Sequence, residues 1–446
     1  MKFSSTATIP QSDLWNDPAL VDDLRALEDD ALHEVWDSTT SDSAMGILED
    51  AALRARALSA SQDQAICAIL DGAEADPDPW VGPDPTLDGA VVLPPHASIR
   101  SFRARRREFA VRAAVADIAV RLRLSEPAVR GRGHRARVLR ERCPQLWSLC
   151  ATGTVSEQNM ATAALLADTL PSDDPEAWAA FDAAASPAAV SLAPGRFHTR
   201  ARAIRERVHP DSLEERHARS REDRNVRVTP ELDGMSQIVA LVPADRGQRL
   251  MHELDTAARH LADVDGETRT LAQLRADVLC DLTSPDTPAG LGKPAVSVTV
   301  PVLALLGASD EPATLDGYGP IDLGTARRLA GEATAWTRIL THPIDGTVLD
   351  LDRTTYRVPA ALRRWLGVRD PVCIFPGCGR SAADCDIDHR RPWALGGRTA
   401  ADNTAPLCRS HHRVKHETLW RCDEESGDLV WVSPTGLRAD VDPPPF

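Results

Sequence analysis

The chain has 446 residues and a formal net charge of −15. This is enough length for two or three domains with substantial cores, and the acidic balance excludes a protein that coats nucleic acid with its whole surface, while leaving room for a local basic site. Of the 51 lysines and arginines only Lys2, Lys293 and Lys415 are lysines; with abundant Ala, Asp and Pro, this reads as the codon bias of a GC-rich bacterial genome.

The first residues, Met1 to Thr6, show no apolar stretch ahead of the acidic run that follows, so no export signal is expected. The longest apolar run, near 296–307, is broken by Pro301 and too short to span a bilayer. The expectation is a cytoplasmic protein with no membrane partner. Residues 13–75 read as acidic amphipathic helices, with Leu24, Leu27, Leu32 and Val35 spaced for a buried stripe. Pro77, Pro79, Pro83, Pro85, Pro94 and Pro95 then mark an extended linker. These features divide the chain into an acidic helical segment (1–75), a Pro-rich linker (76–98), a mostly helical domain (99–284), a mixed α/β segment (295–368) and a C-terminal module (369–446). The fold class is mainly α with smaller α+β parts. Cys67, Cys143, Cys150 and Cys280 lie in apolar helical contexts and are expected to be ordinary buried thiols.

Between Arg100 and Arg142 stand 14 arginines, the one strongly basic block of an acidic chain. Within it Val115 to Leu124 reads as a helix, followed by a turn and a second helix capped by Ser125 with Pro127 in its first turn. Two readings remain open. In one, the block resembles a helix-turn-helix whose Arg130, Arg132, His134 and Arg135 face DNA; in the other it is a helical scaffold with a solvated basic face. Gly131 and Gly133 weaken the first.

Further on, Asn225–Thr229 and Met235–Val242 alternate as strands around Pro230–Gly234, a hairpin pattern. Helices are expected near 245–262 and 268–283, then a Pro/Gly linker at 284–294. Strands are expected at 296–306, 336–341 and 347–351, with helices at 323–330 and 359–366.

The last stretch holds two interleaved ligand sets. Cys373 and Cys378 bracket Pro376-Gly377, a turn able to bring two thiolates onto one ion, and Cys408 and His411 sit three apart at a helix start. Two short-spaced pairs about thirty residues apart make a closed four-coordinate site, the arrangement of structural zinc. The second set is Asp388 with His412 and His416, one helical turn apart and so on one face. His412 could exchange roles with His411, but only His411 on zinc leaves the His412–His416 pair to the second ion. Asp388 and His389 follow a short strand, and adjacent strand residues point to opposite faces unless the strand ends or bulges there; Pro392 favours an ending.

These residues carry a resemblance. The stretch from about Arg369 to Trp431 is similar to the HNH endonuclease family, with its ββα-metal finger, although the first knuckle here is Cys-x4-Cys and His411 stands where the family usually has its last zinc cysteine. The resemblance implies His389 as general base, Asn403 as the residue that fixes the loop carrying Gly396-Gly397, His412 and Asp388 as metal ligands, and His416 as a further ligand found in some members. It implies a divalent ion (Mg²⁺, Mn²⁺ or Ni²⁺) beside a structural Zn²⁺, DNA as substrate, and products with 5′-phosphate and 3′-hydroxyl ends. Arg390, Arg391, Arg413 and Lys415 are the expected DNA-backbone contacts, and the imidazole of His389 needs a backbone carbonyl or Asn403 to hold one tautomer. Elements across about 20–368 resemble the helical domain of unknown function that precedes HNH modules in GC-rich bacteria, through Asp233-Gly234-Met235 and Gln273 with Ala276-Asp277. Alternative readings are a non-catalytic, zinc-stabilised DNA-binding protein, or a restriction or mobile-element nuclease for modified DNA.

Overall fold

Alanine- and arginine-dense stretches fold as helices, and the protein is mainly α with several small sheets. The computed structural model describes residues 41–87, 98–282, 298–301, 304, 312–315, 318–332, 358–393, 396–425 and 428–443. The expected Leu24–Val35 stripe, the strands at 336–341 and 347–351, the 284–294 linker and most of the 296–306 strand lie outside the described residues. Contacts divide the chain into two units: one takes its residues from 1–210, 352–366 and 372–443, the other from 211–351, 367–371 and 444–446. No helix among the described residues is long and apolar enough to cross a membrane.

In the first unit, α1 (Ser41–Ala75), α2 (Ile99–Leu122) and α3 (Glu126–Arg142) pack on one another. Helix α2 starts in a Ser98–Ser101 capping box and stops at Arg123, whose φ of 53° is left-handed. Ser125 then caps α3 by accepting the Ala128 N–H, with Pro127 in the first turn, where an N–H has no helical partner to lose. The helix, the turn and the Ser125 cap are those expected from the sequence. Of the two readings of the basic residues of α3, the packing favours the helical scaffold. Arg132 and Arg135 both bind Asp63 of α1, whose side chain is fully buried, while Arg130 pairs with Glu126 and His134 with Asp168. A carboxylate buried without partners would be costly, so two guanidinium groups turn inward to Asp63 rather than outward. Gly133 has the same origin: a Cβ there would stand 2.9 Å from Leu70 Cδ1, so glycine lets α3 lie close against α1.

Helices α4 (Pro144–Ala151), α5 (Glu157–Asp168), α6 (Pro175–Ser191) and α7 (Pro194–Val208) close a core around Leu139, Leu146, Phe181 and Phe197. Buried Asp182 of α6 accepts the N–H groups of Gln145 and Leu146 at 2.9 and 3.0 Å, capping α4 from a neighbouring helix. Cys143 and Cys150 lie in this core, and burial pushes both thiols up to about 12, which makes them inert at neutral pH.

The second unit contains α8 (Leu213–Ser220), the antiparallel hairpin β1 (Asn225–Pro230) and β2 (Ser236–Leu241), the helix pair α9 (Ala244–Ala262) and α10 (Leu271–Asp281), a three-stranded sheet of β3 (Val298–Thr299), β4 (Ala313–Leu315) and β5 (Gly319–Ile321), and α11 (Leu323–Glu332). The hairpin and helices α9, α10 and α11 sit where the sequence pattern puts them, while α8 was not foreseen. Cys280 departs from expectation: it is exposed, because α10 buries the face carrying Leu274 and Cys280 lies six residues further on, off that face.

Helix α12 (Ala360–Arg369) leads into the C-terminal stretch, where Arg363 of α12 donates to the Cys385 carbonyl. Strand β6 (Cys385–His389) pairs antiparallel with β7 (Thr404–Cys408), helix α13 (Arg409–Glu417) follows directly, and β8 (Arg421–Glu425), β9 (Asp428–Val432) and β10 (Arg438–Asp440) form a separate sheet. This stretch does not stand apart from the helices. Phe375, Leu407, Val414, Trp420 and Trp431 share one core with Ile66 and Leu70 of α1 and with Ala110, Ala113 and Ala114 of α2. The small alanine face lets the indole of Trp420 approach until its Nε1–H donates to the Ala113 carbonyl at 3.2 Å. The boundary expected at 369 is therefore crossed by a continuous apolar core.

Two candidate metal centres

The first centre forms where the Cys373 knuckle meets the start of α13. An isolated bridge between Val372 and Ser381 closes the knuckle, and inside it the Cys378 N–H returns to the Phe375 carbonyl with Gly377 at a φ of +77°. The ligand atoms of Cys373, Cys378, Cys408 and His411 all lie within 4.8 Å of one another. His411 Nδ1 is 3.4 Å from Cys373 Sγ and 3.3 Å from Cys408 Sγ, so this nitrogen faces the sulfurs. Phe375 stacks on the ring at 4.0 Å and seals it from water. Of His411 and His412, it is His411 whose ring lies with the thiols.

The other ring nitrogen of His411 points out of the knuckle. Nε2 is 2.8 Å from Oε1 of Glu126, in the first turn of α3, and Arg130 pairs with Oε2 of the same carboxylate. Burial works against charge on Glu126, but the bonds from His411 and Arg130 outweigh it and hold its pKa below the ordinary value. No sequence spacing could have linked positions 126 and 411.

The second centre is carried by β6 and α13. Asp388 Oδ1 lies 3.3 Å from His412 Nε2 and 3.1 Å from His416 Nε2, and the three ligand atoms again converge within 4.8 Å. Burial raises the Asp388 carboxyl, and the bonds from His412, Lys415 and His416 overcome it, holding Asp388 well below the usual carboxylate range. The bond to Asp388 in turn raises His412. Asp386 stands two residues before Asp388, so both carboxylates point to one face of the strand. Its Oδ2 is 3.2 Å from Nδ1 of His412. Alternation along β6 is the signal that could have found Asp386.

His389 is the last residue of β6, paired with Thr404, and lies on the face opposite Asp388. The strand ends there, as Pro392 suggested. The ring is almost fully buried, its Nε2 is 2.9 Å from the Thr399 hydroxyl, and Trp393 lies edge-on at 6.1 Å. Thr399 was not foreseen as a partner. Asn403 instead ties the loop between β6 and β7: Oδ1 accepts from the Arg391 N–H at 2.8 Å, while Nδ2 donates to the carbonyls of Arg391 and Arg398. Gly396 has a φ of +82°, and a Cβ on Gly397 would fall 1.9 Å from the Arg391 carbonyl oxygen. The paired glycines are what that tight loop requires.

The basic residues around the centre divide by position. Lys415 donates to Asp388 and, at 3.0 Å, to the carbonyl of His389. The Arg413 guanidinium lies 4.7 Å over the Phe109 ring of α2. Arg390 is half-buried and Arg391 exposed, both at the loop entrance just beyond His389.

Comparison with known proteins places these features. A family model described as a domain of unknown function (DUF222) matches residues 96–370, and a model for an HNH endonuclease matches residues 373–418. An uncharacterized protein of Mycobacterium tuberculosis strain H37Rv, Rv3776, is 29% identical over 369 residues, covering 72% of this chain and 69% of that protein. Two further uncharacterized M. tuberculosis proteins, MT2160 of strain CDC 1551 and Rv2100 of H37Rv, are each 29% identical over 223 residues, and the chain spans 40% of their length. No solved structure matches the chain.

Proposed function

The chain belongs to the DUF222 family and carries an HNH endonuclease domain at residues 373–418, and on that premise we propose that it is a metal-dependent endonuclease that hydrolyses phosphodiester bonds of DNA in the cytoplasm. The observation that carries this reading is the convergence of Asp388, His412 and His416 at the end of β6, where His389 is the next residue of the same strand.

The donor sets fit two different ions. Three thiolates and one imidazole in a buried cluster suit structural Zn²⁺. One carboxylate and two imidazoles, with only three protein ligands, suit an exchangeable divalent ion; the imidazoles favour Ni²⁺, while the carboxylate and open positions also admit Mn²⁺ or Mg²⁺. An ion held there supplies charge stabilisation at a phosphate oxygen and at the leaving 3′ oxygen.

The chain's own groups do the rest. His389 is the general base, taking a proton from the attacking water. Thr399 positions its ring: by accepting the Nε2–H of the neutral imidazole its hydroxyl leaves Nδ1 as the nitrogen that takes the proton. Asn403 keeps the loop closed around that pair. Asp386 orients His412 so that Nε2 is presented beside Asp388. Arg390 and Arg391 are placed to meet the DNA backbone at the loop entrance, while Lys415, already bonded to Asp388, adds positive charge inside the centre rather than on its rim.

Full-length protein incubated with supercoiled plasmid and Mg²⁺, Mn²⁺ or Ni²⁺ is expected to nick or linearise it, and chelator is expected to stop the reaction. Intact plasmid with all three ions would overturn the nuclease reading.

A further inference from the structure

Glu126 ties the helical region directly to a candidate ligand of the C-terminal module. It sits in the first turn of α3, outside the stretch matched as the nuclease domain, yet its Oε1 is 2.8 Å from Nε2 of His411. The other nitrogen of that ring faces the three thiols. A metal-bound imidazole ordinarily donates its second N–H to a carboxylate or carbonyl, which fixes the tautomer and strengthens the ligand. Both sides are shielded: the His411 side chain is 7% exposed and that of Glu126 17%.

We propose that Glu126 is a positioning residue for the zinc: by accepting the Nε2–H of His411 it holds Nδ1 toward the thiolates, so that the metal site is completed by the helical domain. The geometry around it supports this role. Ser125 caps α3 immediately before Glu126, which fixes where the carboxylate emerges, and Arg130 one turn later holds its second oxygen. Trp420 anchors the module to α2 through Ala113. Zinc binding and docking of the two parts are then linked equilibria, since the His411–Glu126 bond exists only when the module is docked. This rests on the zinc assignment made above.

The test uses full-length protein and reads zinc directly. Competition with a chromogenic chelator is expected to show zinc held 10–100-fold more weakly in Glu126→Ala than in wild type, the range typical for losing such a partner. Glu126→Gln keeps an acceptor oxygen in place and is expected to recover part of that loss. Co²⁺-substituted protein gives a second readout: the ligand-field bands of the Cys₃His site should shift in Glu126→Ala and lie closer to wild type in Glu126→Gln, whether or not Glu126→Ala proves too unstable to titrate. Trp420→Phe loosens the docking but leaves the Glu126 carboxylate in place, so through the linkage it should weaken zinc less than Glu126→Ala does and leave the Co²⁺ bands near wild type. Wild-type affinity and spectrum in both Glu126 variants, or an equal loss in Trp420→Phe, would overturn the proposal. Wild-type protein without zinc would instead sink the zinc assignment itself.

Discussion

The two centres lie on one short helix, one residue apart at His411 and His412, and are built in opposite ways. In each, a histidine turns one nitrogen toward the ligand cluster and the other toward a carboxylate. At the thiol cluster that carboxylate is Glu126, 285 positions away in sequence and 17% exposed; at the open cluster it is Asp386, on the same strand as Asp388 and 56% exposed. His411 is 7% exposed and His416 49%. A site that only holds structure gains from four ligands and exclusion of water. A site that must admit a phosphate needs open positions and ligands reachable from solvent. Neighbouring positions on one helix can serve both ends because successive residues project about 100° apart.

The sharpest way to break this comparison is to remove a thiol. Cys373→Ser or Cys408→Ser is expected to abolish zinc retention and, because Trp420 and Phe375 share a core with α1 and α2, to lower the thermal stability of the helical region as well. Scanning calorimetry that finds an unchanged helical transition in the zinc-free variant would show the two parts to be independent. Next in size is His389→Ala. It should lower nicking on the order of 10²–10⁴-fold while zinc content stays at the wild-type level, since it removes the base and touches no thiol. Wild-type-like cleavage would remove His389 from the mechanism.

Asp386→Ala sharpens the comparison at the open centre. Loss of the partner of His412 is expected to weaken binding of Mn²⁺ or Ni²⁺ by roughly 10–100-fold in calorimetric titration and to leave zinc unaffected. The smallest effect on DNA binding is expected at α3, although a variant that strands buried Asp63 should be less stable. Neutralising Arg130, Arg132 and Arg135 together should leave the salt dependence of DNA binding unchanged, because these side chains are engaged by Glu126 and Asp63. Each true phosphate contact removed would lower the slope of log K against log salt by about 0.9, so a shallower slope would restore the helix-turn-helix reading.

Local chemistry was legible in the sequence wherever it depends on spacing within one element or one turn. The Cys373–Cys378 knuckle, the His412–His416 pair, the Ser125 cap and the 225–241 hairpin all follow from short-range geometry that residue type alone imposes. The convergence of the two ligand sets was readable for a similar reason, since β6, β7 and α13 are consecutive elements and α13 follows β7 directly. What the sequence could not decide was which faces meet. The arginines of α3 left two readings open, a DNA-facing row or a helical scaffold, because nothing local reveals Asp63, and only the packing of α1 on α3 shows that a buried carboxylate claims two of them. The α2 stretch read only as part of a mostly helical domain, and only the docked module gives Ala113 an indole to meet. Spacing along the chain determines what one element can present. The partner it meets is selected by the packing of apolar surface between distant segments, and Glu126 reaches His411 only because that packing brings α3 to the knuckle.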